Sequence, residues 1–136
     1  MLYRRFSSVV VFMVALGTVV LADPPTVSIQ QQATLDQLVD PVSGGNPITL
    51  GVLVTVDVDC GSPDPSEFEL NVGVRQGDVA SESGGVFFET TGGRQEVTVE
   101  VFGQFEPGSA SATAALACGT LLEGLQLGQT IKISTP

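Results

Sequence analysis

The chain has 136 residues, with fifteen acidic side chains, five basic ones and no histidine. An acidic balance of this size repels nucleic acid and anionic membrane surfaces, and the missing histidine excludes Ser-His and Cys-His nucleophilic mechanisms and histidine metal sites. Hydrophobic residues make up 43% of the chain, enough for a packed core in one domain and too much for a disordered acidic tail.

The N-terminal segment reads as an export signal. Arg4 and Arg5 supply a short positive region, and Val9 to Leu21 is apolar apart from Gly17 and Thr18. Val20, Leu21 and Ala22 then precede Asp23, Pro24 and Pro25, the layout of a cleavage site after residues 1–22. The alternative is an uncleaved membrane anchor, but the apolar run is short against the ~20 residues a spanning helix needs. Cleavage leaves 114 residues with three basic and fifteen acidic side chains, a net charge of −12. Two cysteines in an exported chain, Cys60 and Cys118, are expected to form one disulfide. The expected location is extracellular, free or at the cell surface, with no membrane contact once the signal is removed.

Residues 23–47 are expected to contribute an N-terminal strand and a loop, and 48–136 the body of the same domain. Thr26 to Gln32 can form a first strand with Val27 and Ile29 inward, and Ala33 to Asp40 either continue it or make a short helical turn. Pro41 to Pro47 is rich in turn formers. Residues 48–60 alternate strongly. Ile48, Leu50, Val52, Val54, Val56, Val58 and Cys60 fall on one face, with Thr49, Gly51, Leu53, Thr55, Asp57 and Asp59 on the other, as a half-buried strand requires. Gly61 to Ser66 reads as a loop.

Phe68, Leu70, Val72 and Val74 alternate with Glu67, Glu69, Asn71, Gly73 and Arg75 in a second amphipathic strand. Residues 79–85 predict an exposed connection or weak edge strand, and 86–91 a further strand ended by Gly92 and Gly93. Val97, Val99 and Val101 mark the next. Pro107-Gly108 suits a type II turn, after which Ala110, Ala112, Ala114, Leu116 and Cys118 share one face. Residues 119–129 are expected as a glycine-bounded loop carrying Leu121, Leu122, Leu125 and Leu127, before a last strand over 130–134. About seven short strands without a helix predict an all-β fold.

Taken as strands A to G, this order resembles the immunoglobulin-like sandwich over residues 48–134. The resemblance implies an antiparallel sandwich of about seven strands, with B (48–60) and F (109–118) on opposite sheets and running the same way. Cys60 and Cys118 then end B and F on their inward faces, which implies one sheet-to-sheet disulfide. The chain departs from antibody domains in three ways. Its disulfide lies at strand ends, it has no tryptophan, and its single tyrosine, Tyr3, lies in the signal. The runs DVDC, FELNVGVRQG and FEPGSASATAALAC are also similar to small secreted actinobacterial proteins of uncharacterised function.

Catalysis is not expected. The carboxylates alternate along strands as solvated faces do, which does not suggest the paired acids of a glycosidase. Two sets of residues remain as candidate sites. Asp57, Asp59, Asp64 and Glu67, with Glu69 beside them, offer hard oxygen ligands around the 61–66 loop, where Ca²⁺ is the fitting cation. Leu121, Leu122, Leu125 and Leu127 either close the end of the fold or form an apolar surface for an extracellular protein partner. The leading expectation is a secreted, non-catalytic interaction or surface-structural module without a cofactor. The alternatives are a small calcium-binding extracellular protein, or an inhibitor of a secreted enzyme that presents an end loop as a plug.

Overall fold

The computed structural model describes residues 24–39, 45–61, 67–119 and 122–136. These form nine strands and no helix: β1 (Thr26–Ile29), β2 (Gln32–Leu38), β3 (Ile48–Asp59), β4 (Glu67–Gln76), β5 (Val79–Glu82), β6 (Val86–Glu89), β7 (Gln95–Phe102), β8 (Gly108–Cys118) and β9 (Leu122–Ser134).

Pairing follows from which faces are apolar. In one layer, β3 has β7 antiparallel on one side and β1 and the C-terminal part of β2 antiparallel on the other. In the second layer β9, β8 and β4 lie side by side, antiparallel, with β5 and β6 both hydrogen-bonded to β4. β2 belongs to both layers, because Gln32 to Thr34 also run parallel to Lys132–Ser134 of β9. The layers close on one core. β1 lies against β8 and β9, and β7 against β4 and β5, without pairing to them.

The alternation read from the sequence determines what fills that core. Val52, Val54, Val56 and Val58 of β3 are buried beside Val97, Val99 and Val101 of β7, and share one core with Leu70, Val72 and Val74 of β4 and Ala112, Ala114 and Leu116 of β8. Burying each valine contributes about 1.5–3 kcal/mol. The small alanines of β8 let the bulky β3 layer seat closely. Cys60 and Cys118 end two strands that do not hydrogen-bond to each other, and their disulfide, with Cα atoms 5.6 Å apart, ties the layers across the core.

Three expectations are corrected. Ile48 and Leu50 are not core residues, being 59% and 39% exposed. The β2–β3 register shifts between Asp36 and Gln37, so that Asp36 faces Gly51 while Gln37 faces Thr49. Leu50 is the extra residue of this bulge, and one extra residue moves Ile48 to the outer face beside Leu38. Residues 122–129 are strand and not loop, because β9 continues alongside β8 to Leu122; Leu127 and Gly128 form a bulge opposite Thr113, with Gly128 at φ 68°. Residues 86–89, which the A-to-G order would set beside β7, pair with β4. Of the two readings for residues 33–40, the strand holds, over Gln32–Leu38.

Candidate functional site

The outer side of the β3 layer is acidic toward the end of β3 and carries exposed Leu38, Ile48 and Phe102 toward its start. On the β3 layer, Asp57 and Asp59 alternate with buried Val58 and so point outward. Asp57 lies opposite Glu96 of β7 and is 3.5 Å from the exposed Arg94 guanidinium. Asp59 Oδ1 accepts a hydrogen bond from the Gly61 amide at 2.8 Å, and Gln30 Nε2 donates to Glu96 at 2.6 Å. Glu67 and Glu69 alternate with buried Phe68 and therefore face outward from the other layer. Asp57 and Asp59 thus point away from Glu67. Among the described residues no three acidic or cysteine side chains come together as a metal site; Asp64 lies outside the described residues.

One further acidic pair lies on the β3 layer. Asp36 and Glu100 stand on β2 and β7, either side of β3, where Gly51 leaves the surface between them low. A hydrogen bond to Asp36 raises the Glu100 carboxyl above its ordinary value, helped by burial and by the Asp36 charge. Two carboxylates can share such a bond only if one of them holds a proton; without it, the buried Glu100 Oε2 has no partner.

The outer face of the second layer carries the apolar candidate. Leu125 of β9 pairs with Ala115 of β8, which pairs with Asn71 of β4. The next row is Ala117, Glu69 and Phe87. Leu125 is 63% exposed and Phe87 65%. Because Ala115 and Ala117 are small, a shallow groove of about 340 Å³ opens between Leu125 and the β4 side chains Glu69 and Asn71. A second hollow, of about 140 Å³, lies under Phe87 over Ala117 and Gly119. Asn71 donates from Nδ2 to Glu82 at 3.1 Å, while its buried Oδ1 has no partner. A larger hollow of about 490 Å³, lined about equally by polar and apolar surface, continues the same face over Gly73, Ser111 and Thr113.

Of the four leucines singled out, Leu125 is on this face. Leu121 lies outside the described residues, as do the side chains of Leu122 and Leu127. Phe87 and the Ala115–Ala117 floor were not singled out in the sequence. Their signal was present, since both fall on the outward parity of their strands.

The described part of the molecule is therefore an all-β, disulfide-tied domain with an apolar groove on an outer sheet face. No family model matches the chain, and no curated protein matches it. The disulfide suggests an oxidising, extracellular setting. Among the described residues no helix is long and apolar enough to cross a membrane.

Proposed function

We propose that this chain is a secreted, non-catalytic, immunoglobulin-like sandwich that serves as an extracellular interaction module, meeting a protein partner through the Leu125 groove. The observation that carries this reading is the large apolar side chain of Leu125, about two-thirds exposed beside the groove over Ala115 and Ala117, with an equally exposed Phe87 beyond Glu69 in the next row. Exposed apolar side chains around a groove rimmed by Glu69 and Asn71 are the usual make-up of a contact surface. The immunoglobulin-like part is supported by strand order. With β1 and β2 as A, β3 as B, β4 as C, β7 as E, β8 as F and β9 as G, A, B and E form one layer and G, F and C the other. Export is supported by the 1–22 leader and by the disulfide.

The test is capture from the extracellular fraction of the native source. Immobilised wild-type protein and a Leu125→Ser variant are compared, with captured proteins identified by mass spectrometry. Leu125→Ser is expected to lose the partner while keeping the wild-type melting temperature, since Leu125 is mainly solvent-exposed. Capture of the same proteins by both forms would show that the groove is not the contact surface.

A further inference from the structure

A strand at the edge of a sheet leaves a row of backbone donors and acceptors unpaired, and proteins commonly shorten, bend, charge or cover such edges. β1, β5 and β6 are only four residues each. β7 differs. It spans eight residues without proline, lysine or bulge, and among the described residues it pairs with β3 alone. β5 lies against it from the other layer without hydrogen-bonding to it.

The open backbone groups can be assigned. The Gln30 amide bonds to the Thr55 carbonyl, so Thr55 points toward β1 and β2, and its neighbours Val54 and Val56 toward β7. Gly103 N–H reaches Leu50 O on the same parity. Val97, Val99 and Val101, opposite Val56, Val54 and Val52, therefore make the β3–β7 bonds. Thr55 and Thr98 form a non-bonded backbone pair, in keeping with their hydroxyls lying 3.0 Å apart. The N–H and C=O groups of Glu96, Thr98, Glu100 and Phe102 are consequently the ones that face the edge. Their side chains lie on the outer face, with Asp36 beside Glu100 and with Asp57, opposite Glu96, ion-paired to Arg94.

We propose that the free edge of β7 takes up an extended basic polypeptide segment as an added strand, its alternate lysine or arginine side chains meeting Glu96 and Glu100. Main-chain bonds hold the segment, and charge complementarity selects it. A second copy of this chain is disfavoured as the occupant, because two β7 edges aligned antiparallel about Val99 gather the Glu96 and Glu100 carboxylates of both copies on one face. The surface lies on the opposite layer from the Leu125 groove, so loss of one leaves the other intact.

The experiment is residue-resolved amide exchange on the whole secreted protein, with an acetylated peptide alternating lysine and valine as probe. In the free protein the Val97, Val99 and Val101 amides exchange slowly, and those of Glu96, Thr98, Glu100 and Phe102 fast. Probe at about ten times its Kd slows the fast set roughly tenfold, and the same peptide with glutamate for lysine does not. Thr98→Pro removes an edge-facing donor, along with the hydroxyl that meets Thr55, and abolishes the slowing, whereas Thr98→Val, which removes the hydroxyl alone, keeps it. The double variant Glu96→Lys, Glu100→Lys reverses the preference to the glutamate peptide. Three results would overturn the proposal: no slowing with the lysine peptide, equal slowing with both peptides, or edge amides protected in a concentration-dependent way without peptide, which would make a second copy the occupant.

Discussion

Removing the disulfide is the perturbation whose size follows most directly from the fold. Cys60 and Cys118 are 58 residues apart in sequence, and the chain between them includes β4 to β7 and most of β8. Closing a loop of that length lowers the entropy of the unfolded chain enough to stabilise the native state by about 4 kcal/mol. Both cysteines are buried in the core, so Cys60→Ala with Cys118→Ala also shrinks two packed side chains, adding on the order of 1 kcal/mol. Against a typical total of roughly 5–15 kcal/mol, the variant should be close to its unfolding threshold, with a melting temperature lower by roughly 15–30 °C. The assay is equilibrium urea denaturation of both forms. The midpoint should fall steeply, and the slope of stability against urea should rise, because an unlinked chain exposes more surface when it unfolds. A loss below ~2 kcal/mol with an unchanged slope would refute the reasoning, since it would mean that the denatured chain gains no freedom when the link is cut.

Two further substitutions test the β3 layer, alongside the Leu125 and β7-edge tests. The Glu100 carboxyl is raised above 4.5, so the folded state binds that proton more tightly than the unfolded state. Its contribution is fully present below about pH 4.5 and is lost as pH rises through the folded value. Glu100→Gln, whose amide can donate to Asp36 at any pH, should therefore be more stable than wild type at neutral pH by up to about 1 kcal/mol. The advantage should shrink on acidification in melts taken across the pH range, and an equal difference at acid and neutral pH would count against the shared proton. Gly51→Ala would place a Cβ 2.5 Å from the Val101 carbonyl oxygen and 2.9 Å from Phe102 Cα, both backbone atoms. Something in the β3–β7 ladder must move, at a cost of about 1–3 kcal/mol. A wild-type melting temperature would show that the bulge relaxes freely.

Much of the candidate surface was legible in the chain, and the reason is periodicity. Burial of Val52 to Val58, Phe68 to Val74, Val97 to Val101 and Ala110 to Cys118 follows the alternation residue by residue, because successive side chains on a strand point to opposite faces whatever the strand pairs with. The same rule places Leu125, Phe87 and the alanine floor on an outer face once their strands are known. Ile48 and Leu50 failed because the bulge that reverses their parity is a property of the β2–β3 pair and leaves no mark in either strand alone. Residues 122–129 failed because their glycines suggest a loop, whereas alongside β8 they are absorbed by one bulge at Gly128.

Composition and alternation alone thus determined an acidic, strand-rich chain with a valine-rich core and two inward cysteines at strand ends. Both depend on side-chain type and on the period of an extended backbone, which are local. Which strands became neighbours was decided only in three dimensions. β6 joins β4, β2 is shared between the layers, and β7 pairs with β3 alone among the described residues, because pairing is a competition among segments far apart in sequence for the same backbone hydrogen bonds. That competition placed Glu96 and Glu100 beside unpaired backbone, and set Leu125 across an alanine floor from Glu69 and Asn71.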